Sequence, residues 1–381
     1  MAKILVEGWR FLPHSFATIN QFQCLELLNR THIELFHRDV PYWNKSWQPA
    51  YGLLDDTQEQ ALGEIPTPSG WETFDAILRT GCPFNFSPGD SGRTVIFATC
   101  EFGVLSSDVV AAGTGPGCPM DSNNRVFTPS NWSKEGLIRS GLDPSIISVI
   151  PHGFDPEIFS PPTMAERADL RRKFGWENYF IFLNISAMTS NKGIPDILTS
   201  LHEIAPQHPG ARLVLKGLDS LYTSSAALNK CMAPLPANIQ ADLQSRVAYT
   251  GSDKTFREIA ELYKAADAYV APYLGEGFNL PVLESLACGL PVICTAGGST
   301  DDFTTPDCAM HIQSKIHVSG DAGKPDRVYL QPDRQHLASL MRDIMTNDTW
   351  RGQARRLGPE YVREHFTWKH AGDKLEHILL T

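Results

Sequence analysis

The sequence of 381 residues contains no apolar run that approaches the length of a membrane span. Its opening, Met1 to Gly8, carries too short an apolar stretch for a secretion signal and reads as a strand. The eight cysteines (24, 82, 100, 118, 231, 288, 294 and 308) lack the paired spacing of a metal site. Several lie in apolar runs, as buried free thiols do in a reducing compartment, so the expected localisation is cytoplasmic. Positive charge is in the minority: 33 Lys and Arg against 43 Asp and Glu leave a net charge of −10. That excludes a general nucleic-acid or anionic-membrane surface and leaves at most peripheral membrane contact. No repeat suggests a solenoid, and no order of Ser, Cys, His and Asp matches a nucleophile motif. An anionic ligand must therefore be held by local lysines and backbone amides.

What is present is a soluble globular composition, 42% apolar and 20% charged, in a chain long enough for two or three domains. Strand-like runs at 3–6, 33–37, 76–78, 94–98 and 125–128 alternate with helical stretches around 19–29 and 131–140, and 146–150 reads as a closing strand. This is the rhythm of a parallel sheet covered on both faces. Pro151-His152-Gly153-Phe154-Asp155-Pro156 and Ser160-Pro161-Pro162 interrupt it as a connection between domains. A second series follows: strand 179–184, helix 194–205, strands 211–216 and 246–250, helix 255–265 and strand 268–271. The tail from about residue 347 is helical. The expected domains are 1–155, 165–350 and a terminal helical segment, 351–381, each sheet being doubly wound and presenting its ligands at the carboxyl ends of its strands.

The most informative stretch is Leu274-Gly275-Glu276-Gly277-Phe278-Asn279-Leu280-Pro281-Val282-Leu283-Glu284, followed by Ser285-Leu286-Ala287-Cys288-Gly289-Leu290-Pro291-Val292-Ile293. It reads as a glycine-bounded loop with one carboxylate, a short helix carrying a second, and a buried strand. Asn279 suits the N-cap, Pro281 the first turn and Gly289 the stop. The unpaired amides and positive dipole end of such a helix make an anion site. Carboxylates on either side suit a ligand that is anionic in the middle and rich in hydroxyls at both ends, as a nucleotide sugar is. By spacing alone, Glu284 also fits a charge favouring the helix dipole, and Glu276 a solvated loop charge.

The run resembles the donor-site motif of the retaining family-4 glycosyltransferases, the glycogen-synthase and mannosyltransferase-like group with the GT-B fold: two Rossmann-like domains facing each other across a cleft. The resemblance covers the second domain well and the first only through Thr128-Pro129-Ser130 and Pro151-His152-Gly153-Phe154-Asp155. It implies a hexosyltransferase moving a sugar from a UDP- or GDP-sugar to a hydroxyl acceptor (glycan, lipid-linked or small molecule) in polysaccharide or glycoconjugate biosynthesis. Glu276 would contact the transferred sugar, Glu284 the ribose, and the amides of Gly277, Phe278, Asn279 and Leu280 the diphosphate. The last helix would cross back over the first domain. No Asp-x-Asp triplet occurs, which removes the metal site of the other large glycosyltransferase fold, so neither metal nor cofactor is expected. Two other readings stay open: a nucleotide-sugar-binding subunit without catalysis, and a nucleotide-sugar epimerase of similar shape.

Lys192, after strand 179–184 and opening the next helix, is placed to meet a diphosphate; its Lys192-Gly193 pair matches the family's. The family's arginine five residues earlier is Ala187 here. Lys216, at the end of strand 211–216, is either the replacement cation or a strand-end lysine reaching solvent. In the first domain, Gly8, Arg10 and His14 on the loop after the first strand, and Glu101 in Cys100-Glu101-Phe102-Gly103, are the candidate acceptor-side residues. His152 reads as structural.

Overall fold

A computed structural model describes residues 1–118, 121–321 and 324–381. The chain divides into two compact units, Met1–Gly153 with Ser319–Val328 and Phe366–Thr381, and Phe154–Val318 with Tyr329–His365. The first is built on strands β1 (Ala2–Gly8), β2 (Ile33–Asp39), β3 (Ala76–Thr80), β4 (Arg93–Phe97), β5 (Arg125–Thr128) and β6 (Ile147–Val149). All run parallel, in the order β2-β1-β3-β4-β5-β6. Ile4, Leu5 and Val6 are all buried, so β1 needs apolar residues on both faces and has them in unbroken sequence. Helices α1 (Ser15–Leu28), α2 (Asp56–Gly63) and α3 (Asn131–Arg139) form the crossovers. Asp55 and Ser130 cap α2 and α3 by accepting from the amides of Gln58 and Ser133.

The second unit repeats the design with β7 (Phe180–Ile185), β8 (Ala211–Lys216), β9 (Val247–Thr250), β10 (Ala268–Ala271), β11 (Val292–Thr295) and β12 (Ala309–Ile312), in the order β12-β11-β10-β7-β8-β9. Its helices are α4 (Met164–Phe174), α5 (Ile194–Ile204), α6 (Asp219–Tyr222), α7 (Ser224–Met232), α8 (Ala237–Arg246), α9 (Phe256–Ala265), α10 (Leu280–Ala287), α11 (Arg334–Thr346) and α12 (Asp348–His365). Ile197, Leu198 and Leu201 on one face of α5 join Leu213, Leu215, Val270, Ile293 and Met341 in its core. Each such fully buried side chain contributes about 1.5–3 kcal/mol. A two-stranded ribbon, β13 (Ser314–Asp321) and β14 (Lys324–Pro332), follows β12. The last helix, α13 (Trp368–Leu380), belongs with the first unit, where Trp368 stacks on Phe22 at 5.2 Å and Arg30 pairs with Asp373 and Glu376. Among the described residues no helix is long and apolar enough to cross a membrane.

Strands β1 to β11 lie where apolar runs predict them. The strand expected at 290–293 begins two residues later, because Leu290 still serves the end of α10: its amide donates to Ser285 O, and Gly289 turns the chain at φ 70°. The sequence signals missed α2, α4, α6 to α8, α11, β12 and the β13–β14 ribbon. Helices α2, α4 and α6 to α8 bury two residues or fewer each, so little periodicity marks them, whereas α11 is amphipathic, with Leu337, Ala338, Met341 and Ile344 buried.

Gly193 is the tightest backbone approach near the second sheet's strand ends. It is left-handed, φ 67°, and a Cβ there would lie 2.0 Å from the carbonyl oxygen of Pro272. Left-handed strain alone costs about 1–2 kcal/mol for another residue, and the backbone collision adds to it. Gly193→Ala is expected to lower stability by at least about 2 kcal/mol in urea titrations. Gly352→Ala, inside α12 with open space around its Cβ, is expected to be neutral or to stabilise by up to about 1 kcal/mol.

Candidate functional site

In the second sheet, β7 leads to β8 and β9 on one side while β10 lies on the other. The loops after β7 and β10 therefore diverge at a topological switch point, where open parallel sheets leave room for a ligand. Lys192 is on the first loop and Glu276 on the second, and Lys192 Nζ lies 2.6 Å from Glu276 Oε1. Both side chains are largely buried, 16% and 10% exposed, which makes their pairing strong in a region of reduced screening. Lys192 does not open α5 as the sequence suggested. It ends a short 3-10 turn, Ser190–Lys192, and the left-handed Gly193 separates it from the helix.

Asn191 fastens the two loops together. Its side-chain amide donates to Gly275 O at 2.9 Å, and its carbonyl accepts from the amide of Leu274 at 2.7 Å. It is 4% exposed and carried no signal in the sequence beyond being a polar loop residue. Phe278 sinks the tip of the glutamate loop onto Phe303, ring centroids 4.5 Å apart, and its carbonyl accepts from Ser299 Oγ. Asn279 stands at the N-cap position but does not cap. Its backbone is left-handed (φ 81°, ψ 66°) and its side chain makes no cap bond, so Asn serves the turn here through its tolerance of that conformation. In the first turn of α10, Pro281 has no amide hydrogen and Val282 N donates to Asn279 O at 3.0 Å, which leaves the Leu280 amide without an intrahelical acceptor.

Lys216 is the last residue of β8, in register with Ile185 at the end of β7, and its carbonyl accepts from Ser186 N. It is 7% exposed, and its ammonium makes no hydrogen bond or ion pair among the described residues. Burial lowers its pKa, while Asp253 and Asp219 partly restore it and Lys254 opposes them. A largely buried lysine whose ammonium has no protein partner among the described residues, beside a loop that carries Lys192, is placed to meet an anion. Among the described residues no three His, Cys, Asp or Glu side chains converge as metal ligands.

Glu284 has a different environment from Glu276. Among the described residues it pairs with no cation; Tyr263 Oη donates to its Oε2 at 2.9 Å, and burial pushes its carboxyl up to about 7. Tyr263 is on the buried face of α9. The sequence marks it only as a core aromatic.

The first-domain candidates fare unevenly. Arg10 is a structural residue: its Nε and Nη2 grip Asp39 at 2.9 and 2.7 Å, and Nη1 donates to Leu62 O at 2.5 Å. The sequence does not disclose a partner 29 residues away. His14 caps α1 by accepting from Phe16 N at 3.0 Å, sits among the rings of Trp9, Phe16 and Trp47, and is lowered by burial to about 4. Gly8 closes on Asn20 and Thr80, where a Cβ would lie 2.7 Å from Asn20 Oδ1. Glu101 is exposed on a turn whose carbonyl accepts from Trp132 Nε1. His152 is buried between Phe97 and Trp368 and lowered to about 3.

Glu284 supplies a pH test. Its folded pKa, about 7, lies above the ordinary value of 4.5, so the folded state binds the proton more tightly than the unfolded one. The stability present below pH 4.5 is therefore lost as pH rises through the window up to about 7. Glu284→Gln is expected to match the parent near pH 4.5 and exceed it by up to roughly 3 kcal/mol at pH 8, at 1.36 kcal/mol per unit. Urea titrations at both pH values measure the difference.

Comparison with known proteins bears on this site. The family described as Glycosyl transferases group 1 matches residues 166–308, which span β7 to β11 and both loops of the ion pair. The mannosylfructose-phosphate synthase of Agrobacterium fabrum is 25% identical over 242 residues, 62% of this chain and 48% of that protein. A D-inositol 3-phosphate glycosyltransferase of Xylanimonas cellulosilytica is 31% identical over 182 residues, 46% of this chain and 42% of that one. The chain spans about half the length of the curated relatives it matches. In fold, it is similar to Anabaena HepE, crystallised with UDP and glucose, with TM-score 0.68, 14% identity and coverage of 100% and 99% of the two chains. WaaG, a glycosyltransferase involved in lipopolysaccharide biosynthesis, gives TM-score 0.64 at 15% identity, with 99% of each chain covered. With two doubly wound parallel sheets, the chain matches the group 1 glycosyl transferases over the segment that carries the Lys192–Glu276 pair.

Proposed function

We propose that this protein is a retaining hexosyltransferase that moves a sugar from a UDP- or GDP-sugar to a hydroxyl acceptor, without a metal ion, in glycan or glycoconjugate biosynthesis. The observation that carries the reading is the paired Lys192 and Glu276 at the switch point of the second sheet, beside the amino end of α10. A cation and a helix terminus suit a diphosphate, and a carboxylate next to them suits the hydroxyls of the sugar it bears. The names of the curated relatives, which include a GDP-mannose-dependent mannosyltransferase, support hexosyl transfer. The absence of Asp-x-Asp from the sequence supports charge neutralisation by lysines and amides.

In this reading the bond from the anomeric carbon to the diphosphate oxygen breaks while a bond from the same carbon to the acceptor oxygen forms on the same face. The departing diphosphate takes the acceptor's proton, so no enzyme nucleophile is needed. Lys192, Lys216 and the amides of α10 stabilise the charge that develops on the leaving group. Glu276 orients the sugar, and Glu284, its carboxyl pushed up to about 7 and so partly protonated near neutral pH, is able to donate as well as accept toward ribose hydroxyls.

Glu276→Gln is expected to reduce transfer about a hundredfold, on the scale of losing one preorganised electrostatic contact, while nucleoside diphosphate affinity stays within a few-fold. Full activity in that variant would sink the assignment. Incubation with donor alone separates the other readings: isomerised donor indicates an epimerase, and tight binding with neither transfer nor hydrolysis a binding subunit.

For the phosphate clamp, Lys192→Ala and Lys216→Ala are each expected to weaken UDP or GDP binding by roughly 1.5–3 kcal/mol, about ten- to a hundredfold. Binding of the nucleoside without phosphate is expected to stay as weak as in the parent. Calorimetry that finds Lys216→Ala neutral would leave one cation and the helix amides as the clamp.

A further inference from the structure

The first unit contains a cavity of about 480 Å³ that no part of the donor-site reading uses. It opens at the carboxyl ends of β1 to β4. Glu7 comes from β1, the 40–43 segment follows β2, Arg79 and the 81–85 segment belong to β3 and its loop, and Ile96 and Phe97 end β4. Because β1 leads to β2 on one side while β3 lies on the other, this is the first sheet's own switch point. Its volume is that of a small-molecule site.

The walls are held in place before any ligand arrives. Val40 N donates to Gly8 O, Trp9 Nε1 to Pro41 O at 3.0 Å and Tyr42 Oη to Arg10 O at 2.8 Å, which fixes one side. On the other, Phe84 N donates to Val109 O at 2.7 Å and Ala111 N to Phe84 O at 2.9 Å. Arg10, whose own donors are spent on Asp39 and Leu62, thus shapes the cavity through its carbonyl.

The chemistry inside is specific. Trp43 lines the cavity with an aromatic surface that is 43% exposed, and Tyr42 and Phe84 extend the apolar lining. Arg79 spends Nε on Glu7 Oε2 at 2.9 Å and Nη1 on the carbonyls of Ser87 and Asn85, while Nη2 has no acceptor among the described residues. The Asn85 side-chain oxygen accepts from Ser87 N and Oγ, and its amide NH2 likewise has no acceptor there. Asp108 contributes a carboxylate. Glu7 pairs with both Arg79 and Arg38, and with Asp108 the lining sets two carboxylates against one guanidinium, which disfavours a phosphate or carboxylate. A flat apolar platform with two directed N–H donors and a carboxylate acceptor matches a ring with C–H groups on one face and hydroxyls around its rim.

We infer that this cavity is a binding site for an uncharged sugar ring, which the aromatic surface of Trp43 stacks and Arg79, Asn85 and Asp108 hold by its hydroxyls. In calling that ring the acceptor, the inference rests on the transferase reading; as a binding site it stands alone. The test uses the full chain with methyl α-mannopyranoside and methyl α-glucopyranoside in saturation-transfer NMR, and mannose 6-phosphate and octanol as competitors. Saturation transfer to at least one glycoside, weakened at least tenfold by Trp43→Ala and by Asn85→Ala and largely retained in Trp43→Phe, supports the site, provided UDP and GDP affinities do not move. No transfer to either glycoside, binding indifferent to both alanine substitutions, or displacement by mannose 6-phosphate or octanol at lower concentration than the glycosides overturns it. Transfer activity in which both alanine variants keep the parent's acceptor KM removes the site and leaves the transferase reading intact. Glycoside binding that behaves as expected in a chain that neither hydrolyses nor transfers any donor removes the transferase reading and leaves the site.

Discussion

A lysine and a glutamate from loops 84 residues apart, their charged atoms 2.6 Å from each other and mostly out of water, set the terms for the second domain. Two charges brought this far from solvent repay their desolvation only when their geometry is held. The parallel pairing of β10 against β7 brings the loops together, Gly193 lets one pass under Pro272 without collision, and Asn191 ties the two. Phe278 anchors the glutamate loop from below. Remove any of these and the pair loses its fixed distance, and with it the reason for the charges to be buried.

Local electrostatics override the global charge. The chain carries a net −10, yet the strand ends of the second sheet gather Lys192, Lys216 and the amino end of α10. The two glutamates of the same motif are given opposite surroundings. Glu276 meets an ammonium, while Glu284 meets a tyrosine hydroxyl and low-dielectric packing that holds its proton near neutrality. Two like groups in unlike environments are equipped for unlike work.

The first domain uses its reactive residue types differently. Arg10, His14 and His152 are types that draw attention in a sequence, but here an ion pair, a helix cap and an aromatic sandwich absorb them. Its own switch point is instead lined by residues of mixed and ordinary character, Trp43, Arg79 and Asn85 among them, which become a site only through their convergence.

Most of the architecture was legible from the chain alone, because buried parallel strands require unbroken apolar runs and glycine or proline where they stop. The glutamate motif was legible too, since a loop, a proline-started helix and a glycine stop are local features. Its N-terminal asparagine was read correctly as a position and incorrectly as a cap, since whether a side chain bonds its own backbone depends on a φ angle that the surrounding loop imposes. What tertiary structure alone decided is partnership. Lys192 meets Glu276 at 2.6 Å, Arg10 meets Asp39 and Tyr263 meets Glu284 at 2.9 Å, each pair distant in sequence, and the isolation of Lys216 is likewise set by what folds around it. Charge, burial and pKa follow from those distances, and a one-dimensional pattern does not contain them.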